Sequence, residues 1–92
     1  MIYLKTNWIH QFKDEPYIIY SELNGATRNE IRKIEIFRNG ITRYAPNGEN
    51  DLGTMISIEA IPEINDINKS NEFLCVEINK AEFEQKWSKA LL

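Results

Sequence analysis

Apolar and polar residues alternate along most of the chain, which is the pattern of half-buried β-strands. Residues 17–23 and 72–78 are also rich in β-branched and aromatic side chains, which favour extended backbone. Strands are predicted over residues 2–9, 17–23, 30–38, 41–45 and 72–78, and a further strand is possible over 54–60.

The dipeptide Asn39-Gly40 lies directly between two predicted strands. A type I′ turn needs positive φ at both central positions, and Asn-Gly meets that need best. We therefore predict a tight hairpin over residues 30–45. The apolar residues of the strand 30–38 do not share one parity, so either both of its faces are covered or a bulge shifts the register.

The periodicity changes to that of a helix after residue 79. Phe83, Trp87 and Leu91 recur at steps of four and form an apolar stripe, and Asn79 has the character of an N-cap. A shorter helical turn is predicted from Pro62 through Ile67. Together these elements predict an α+β fold, an antiparallel four- to five-stranded sheet covered on one face by a C-terminal helix, as a single domain over residues 1–92.

Length and composition narrow the class of protein. The chain has 92 residues, of which 42% are hydrophobic and 27% are charged, a globular composition. A domain of this size buries only about 60% of its unfolded surface, which disfavours a deep, enclosed active site. Because there is one cysteine, no secretion signal and no apolar run near the ~18 residues that span a bilayer, we expect a cytoplasmic protein.

The net charge of −3 is unevenly distributed: residues 1–45 carry 7 − 5 = +2, and residues 46–92 carry 4 − 9 = −5. An acidic chain disfavours binding to nucleic acid or to anionic lipid, whereas an acidic segment can attract a basic protein. The simpler interpretation is that these acids only keep a small domain in solution. The predicted partner-binding residues are Glu49, Asp51, Glu59, Glu63, Asp66 and Glu72.

Residues that could perform catalysis are few. His10 is the only histidine, and Cys75 lies in a predicted buried strand, where its thiol would have a raised pKa. No metal-ligand spacing and no phosphate-binding or dinucleotide motif is present, so no cofactor is expected. Glu22 and Glu35 could act as acid and base if their strands bring them together.

One polar cluster deserves a functional hypothesis, since it surrounds the predicted break between the first two strands. A carboxylate beside the imidazole would favour its charged form, as in a recognition or catalytic site. The alternative is that the histidine forms a structural hydrogen bond that holds this connection. The cluster consists of His10, Asp14, Glu15 and Glu22.

Several short motifs together resemble a known pattern. They are Tyr3-Leu4-Lys5, Trp8, His10, Asp14-Glu15-Pro16, Tyr20-Ser21-Glu22, Arg32-Lys33-Ile34-Glu35, Phe37, Gly40, Glu72-Phe73, Glu77-Ile78, Phe83 and Trp87. The pattern resembles a small family of uncharacterised bacterial domains of about this length. That resemblance implies a small cytoplasmic protein, and some members of the family look like immunity proteins of secreted toxins.

We therefore expect a bacterial immunity protein that binds a cognate toxin domain, of a basic nuclease type, and occludes its active cleft. The alternatives are a small-ligand-binding or enzymatic domain that uses the polar cluster, and a structural homodimer that uses either the second strand's edge or an exposed aromatic face. Neither a nucleic-acid nor a membrane partner is expected, and the chain is predicted to be a monomer or a weak homodimer.

Overall fold

A computed structural model describes residues 1–46 and 54–92. The elements are β1 (Ile2–Trp8), β2 (Ile18–Leu23), β3 (Glu30–Ile36), β4 (Thr42–Ala45), α1 (Ile64–Ile67), β5 (Phe73–Ile78) and α2 (Lys80–Ala90). All neighbouring strands pair antiparallel, in the order β4-β3-β2-β1-β5. The predicted α+β class, with a five-stranded antiparallel sheet and a C-terminal helix, is confirmed.

The strand order places β2 at the centre of the sheet. β2 pairs with β1 on one side and with β3 on the other, so both of its backbone edges are occupied. The expectation of a homodimer through the edge of the second strand is therefore wrong. The two outer strands of the sheet are β4 and β5.

A β-bulge in β3 explains the mixed parity of its apolar residues. Glu22 pairs with Arg32, but Leu23 pairs with Glu30, so Ile31 is the extra residue. The bulge moves Glu30 to the face of the sheet opposite Arg32. Glu30 is consequently buried on that face.

The hairpin between β3 and β4 forms as predicted, but its turn does not have type I′ geometry. Phe37 N donates to Ile41 O (2.9 Å) and Gly40 N donates to Phe37 O (3.0 Å), which leaves a three-residue loop, 38–40. Gly40 has a φ of 88°, whereas Asn39 keeps a negative φ. The side chain of Asn39 accepts a hydrogen bond from Ile41 N (3.0 Å), which stabilises this longer loop.

Helix α2 covers one side of the sheet, here called the helix face. Phe83 is fully buried against Tyr3, Tyr20 and Ile34. The predicted N-cap is confirmed, because the side chain of Asn79 accepts a hydrogen bond from the backbone of the third helical residue at 2.8 Å.

The opposite side of the sheet, the cover face, lies under residues 54–72, the cover segment. Its core consists of buried Leu4, Leu23 and Cys75, with Ile61, Ile64 and Ile67 of the cover packed against them.

The possible strand over 54–60 is wrong: this stretch has no strand, and Ile58 is 94% exposed. Its backbone bonds instead to side chains that project from β3. Lys33 Nζ donates to Met55 O (2.9 Å), and Ser57 N donates to Glu30 Oε1 (2.9 Å).

Candidate functional site

The predicted acidic partner-binding residues lie mainly on the cover segment. Those in the described part of the chain are solvent-exposed, while Glu49 and Asp51 lie outside the described residues. The four exposed residues are named here the acidic surface: Glu59, Glu63, Asp66 and Glu72.

Arg28 holds the cover segment against the connection between β2 and β3. Its guanidinium donates to Ile61 O (2.8 Å) and Pro62 O (2.6 Å), and its own carbonyl accepts from Ile61 N (2.9 Å). Arg28 has a φ of 60°, a left-handed conformation that costs a non-glycine residue roughly 1–2 kcal/mol and that these three bonds offset. The start of α1 is thereby fixed in position.

Two cations lie close to the acidic surface. Arg28 Nη1 is 3.4 Å from Glu63 Oε2, and Lys69 Nζ is 3.0 Å from Asp66 Oδ1. Exposed pairs of this kind contribute little to stability and leave the carboxylates hydrated. The acidic surface therefore keeps four carboxylates against two neighbouring cations.

The end of α1 also closes part of the β5 edge. Asn68 Nδ2 donates to Cys75 O (2.9 Å), and Cys75 N donates to Asn68 Oδ1 (2.6 Å). One side chain thus takes the place of a neighbouring strand at this position. Burial raises the pKa of the Cys75 thiol, as predicted, so this cysteine packs as a small apolar residue.

The contacts of His10 match the alternative prediction, in which this histidine forms a structural hydrogen bond that holds the connection between β1 and β2. Its Nε2–H donates to Pro16 O (2.7 Å), and its Nδ1 accepts from Phe12 N (2.9 Å). Both ring nitrogens are therefore occupied by the backbone of the connection between β1 and β2, and these bonds specify one neutral tautomer. The ring also packs on Trp8, with centroids 4.2 Å apart.

The structure does not bring Glu22 near His10, so that expectation is wrong. In the antiparallel register Glu22 lies opposite Tyr3, five residues before Trp8 on β1, a distance of about 16 Å along the strand. Asp14 and Glu15 are exposed beside Trp8, in a shallow pocket at the other end. The four residues of the predicted polar cluster therefore do not form one site.

Glu22 belongs instead to an ion-pair network on the helix face. Arg32 binds its carboxylate through two bonds, Nε–Oε1 at 2.6 Å and Nη2–Oε2 at 2.9 Å, and also bonds to Glu84 of α2. The guanidinium lies 4.9 Å from the ring centroid of Phe83. Hydrogen bonds from Arg32 lower the pKa of both carboxyls, and burial raises the pKa of Tyr3, which bonds to Glu22.

The suggested acid–base pair of Glu22 and Glu35 is also wrong. Glu35 lies opposite Ile19 and on the cover face, where it accepts a hydrogen bond from the Thr54 hydroxyl (2.7 Å). The two carboxylates are thus separated by the sheet itself.

Within residues 1–46 and 54–92, no three histidine, cysteine, aspartate or glutamate side chains converge as metal ligands would. The same ranges contain no helix with the length and apolar character of a membrane span.

A buried polar group on the cover face was not predicted. The Glu30 carboxylate accepts from Ser21 Oγ (2.8 Å) and Ser57 N (2.9 Å) and lies 3.1 Å from Lys33 Nζ. The mixed parity of β3 was the only signal in the sequence, since the bulge it indicates is what turns Glu30 inward.

The chain matches the model of a known protein family. The model of a domain of unknown function (DUF6881) matches residues 2–92. Neither among curated proteins nor among solved structures was a match found.

Proposed function

We propose that this chain, which belongs to the DUF6881 family, is a bacterial immunity protein that acts in the cytoplasm. It binds a cognate toxin domain with a basic, nuclease-type active cleft and neutralises the toxin by occluding that cleft. Its resemblance to bacterial domains associated with toxin immunity motivates this choice among binding functions.

The observation that carries the proposal is the exposure of the acidic surface on a segment that is held in place. Arg28 anchors the start of α1, and Asn68 ties its end to β5, so the carboxylates project from a defined backbone. A fixed array of carboxylates can complement a cleft that binds phosphates, and it accelerates association with a basic partner.

The proposal predicts that a neighbouring gene encodes a large secreted protein, and the test uses the C-terminal domain of that protein as the candidate toxin. Its association rate with the wild-type protein is measured by stopped-flow fluorescence at low and at moderate salt. The double variant Glu59→Lys/Asp66→Lys should slow association at low salt by about tenfold or more, because it reverses charges on the acidic surface. Raising the salt concentration should narrow the difference between the variant and the wild type.

The matched control is Asp14→Lys/Glu15→Lys, which makes the same change in net charge at exposed residues on the connection between β1 and β2. It should slow association much less. A candidate toxin domain that does not bind at any salt concentration contradicts the proposal. Equal rates for the two double variants contradict the assignment to the acidic surface.

A further inference from the structure

The cover segment does not fill the sheet face beneath it. A cleft of about 410 Å³ remains between the two, within the usual size range of binding pockets. Its floor is formed by Leu4 and Thr6 of β1 and by Ile19 of β2. Ile61 and Ile67 of the cover segment form part of its walls. Its surface is predominantly apolar.

The polar end of the cleft is already satisfied by its own contacts. Glu30 accepts hydrogen bonds from Ser21 and Ser57, and Lys33 pairs with Glu30 and also donates to Met55 O (2.9 Å). Because the charges of Glu30 and Lys33 offset each other, the inside of the cleft does not strongly attract either cations or anions. An occupant of the cleft is therefore selected by apolar surface and by shape.

The cleft shares one residue, Asp66, with the acidic surface. Asp66 lines the opening itself, and Glu63 and Glu72 are the sequence neighbours of two other lining residues, Pro62 and Phe73. An apolar pocket with charged, hydrated residues at its border resembles the energetic centre of protein interfaces, where an apolar core meets a polar rim.

We infer that the cleft receives one aromatic or large aliphatic side chain of the partner, on a segment in which lysine or arginine flanks that side chain. This inference rests on the proposed function, because the partner is the toxin domain named there. The rim carboxylates would then govern how fast the partner arrives, and the cleft would govern how long it stays.

A first test needs no toxin. Three five-residue peptides serve as probes: phenylalanine between two terminal lysines, alanine between the same lysines, and phenylalanine between two terminal glutamates, with glycine at the remaining positions. Titration is followed by amide chemical shifts. The first peptide should shift Thr6, Ile19 and Ile67 saturably, and replacing phenylalanine by alanine should weaken binding about tenfold or more.

A second test fills the cleft in the intact protein. Ile19→Trp enlarges a side chain on the floor, and Val76→Trp makes a similar change at an exposed position on the helix face of β5. Ile19→Trp should raise the Kd for the toxin domain by about thirtyfold, mainly through faster dissociation, whereas Val76→Trp should have little effect. Ile19→Phe replaces the larger variant if that protein does not fold.

The outcomes separate the two proposals. If the toxin domain binds and Ile19→Trp dissociates like the wild type, the inference about the cleft is wrong while the proposed function stands. If the first peptide shifts no cleft amide, or binds no better than the alanine peptide, the inference is also wrong. If the toxin domain does not bind, while the first peptide binds more tightly than both the alanine peptide and the peptide flanked by glutamates, the proposed function fails. The cleft then remains selective for apolar side chains flanked by cations.

Discussion

The two faces of the sheet are covered in physically different ways. On the helix face, α2 buries Phe83 completely and packs Trp87 against the same core. On the cover face, a mostly irregular segment is held by hydrogen bonds from Arg28 and Asn68, and it leaves a cleft. A helix presents a continuous apolar stripe, so it can close a sheet face by itself, whereas an irregular segment closes it only where specific polar contacts position it.

The substitution Phe83→Ala, on the helix face, should have the largest effect on stability. We expect it to lower the free energy of unfolding by about 3–5 kcal/mol, because it leaves a cavity under α2. Ile67→Ala on the cover face should cost less than half as much, since Ile67 is only partly buried and borders the cleft. Urea unfolding followed by circular dichroism measures both. Equal losses would contradict the view that stability resides mainly on the helix face.

A smaller effect is expected for Asn68→Ala at the edge of the cover face. The variant leaves Cys75 N and O without their partner, which should cost about 1–2 kcal/mol. It also reopens the edge of β5, so sedimentation at rising concentration should show self-association. Asn71→Ala, at an exposed asparagine three residues later, is the control and should remain monomeric at the same concentrations.

The smallest effect is the pH dependence of stability that Glu22 confers on the helix face. Because Arg32 lowers the pKa of Glu22 in the folded protein, the unfolded chain binds the proton more readily. The stabilisation is therefore complete above about pH 5 and is lost as the pH falls below ~4.3 and through the lowered value. The free energy of unfolding is measured with urea from pH 7 to pH 3. Glu22→Gln should be less stable than the wild type at neutral pH, and this difference should close in acid.

Glu84→Gln is the companion measurement for this network. The carboxylate of Glu84 is more exposed than that of Glu22, so water screens its interaction with Arg32 more strongly. The difference in unfolding free energy between Glu84→Gln and the wild type should also close as the pH falls. At neutral pH it should be smaller than the difference for Glu22→Gln. A gap that widens in acid for either variant would contradict the role of Arg32.

Most regular elements were predictable from the sequence because their signals are local. The apolar stripe of α2 and the Asn79 cap depend on residues within one or two turns. The cap is confirmed, and so are Phe83 and Trp87 of the stripe, whereas Leu91 lies at the C-cap and is exposed. The prediction of a strand over 54–60 was wrong, because an alternating pattern of apolar and polar residues does not by itself provide a neighbouring strand to pair with. β3 already pairs with β2 and β4, so the cover segment meets its side chains instead.

The candidate site was predictable only in part. Exposure of the acids follows from their chemistry, since charged side chains are seldom buried without partners. The grouping of His10 with Glu22 was wrong because His10 lies at the connection between β1 and β2, whereas Glu22 lies at the other end of the paired strands. The buried Glu30 and the cleft beside it depend on a bulge and on a cover segment that begins more than twenty residues later.

By itself, the sequence determined the α+β class, the order of the elements and the cap of α2, since backbone sterics and side-chain periodicity act over a few residues. The tertiary structure alone decided which strands form the edges, which carboxylates share a face and where the cleft lies. These features rest on contacts between distant residues, such as Arg28 with Ile61 and Arg32 with Glu84, which are 33 and 52 positions apart. Such pairs are brought together only when the sheet and both of its covers assemble.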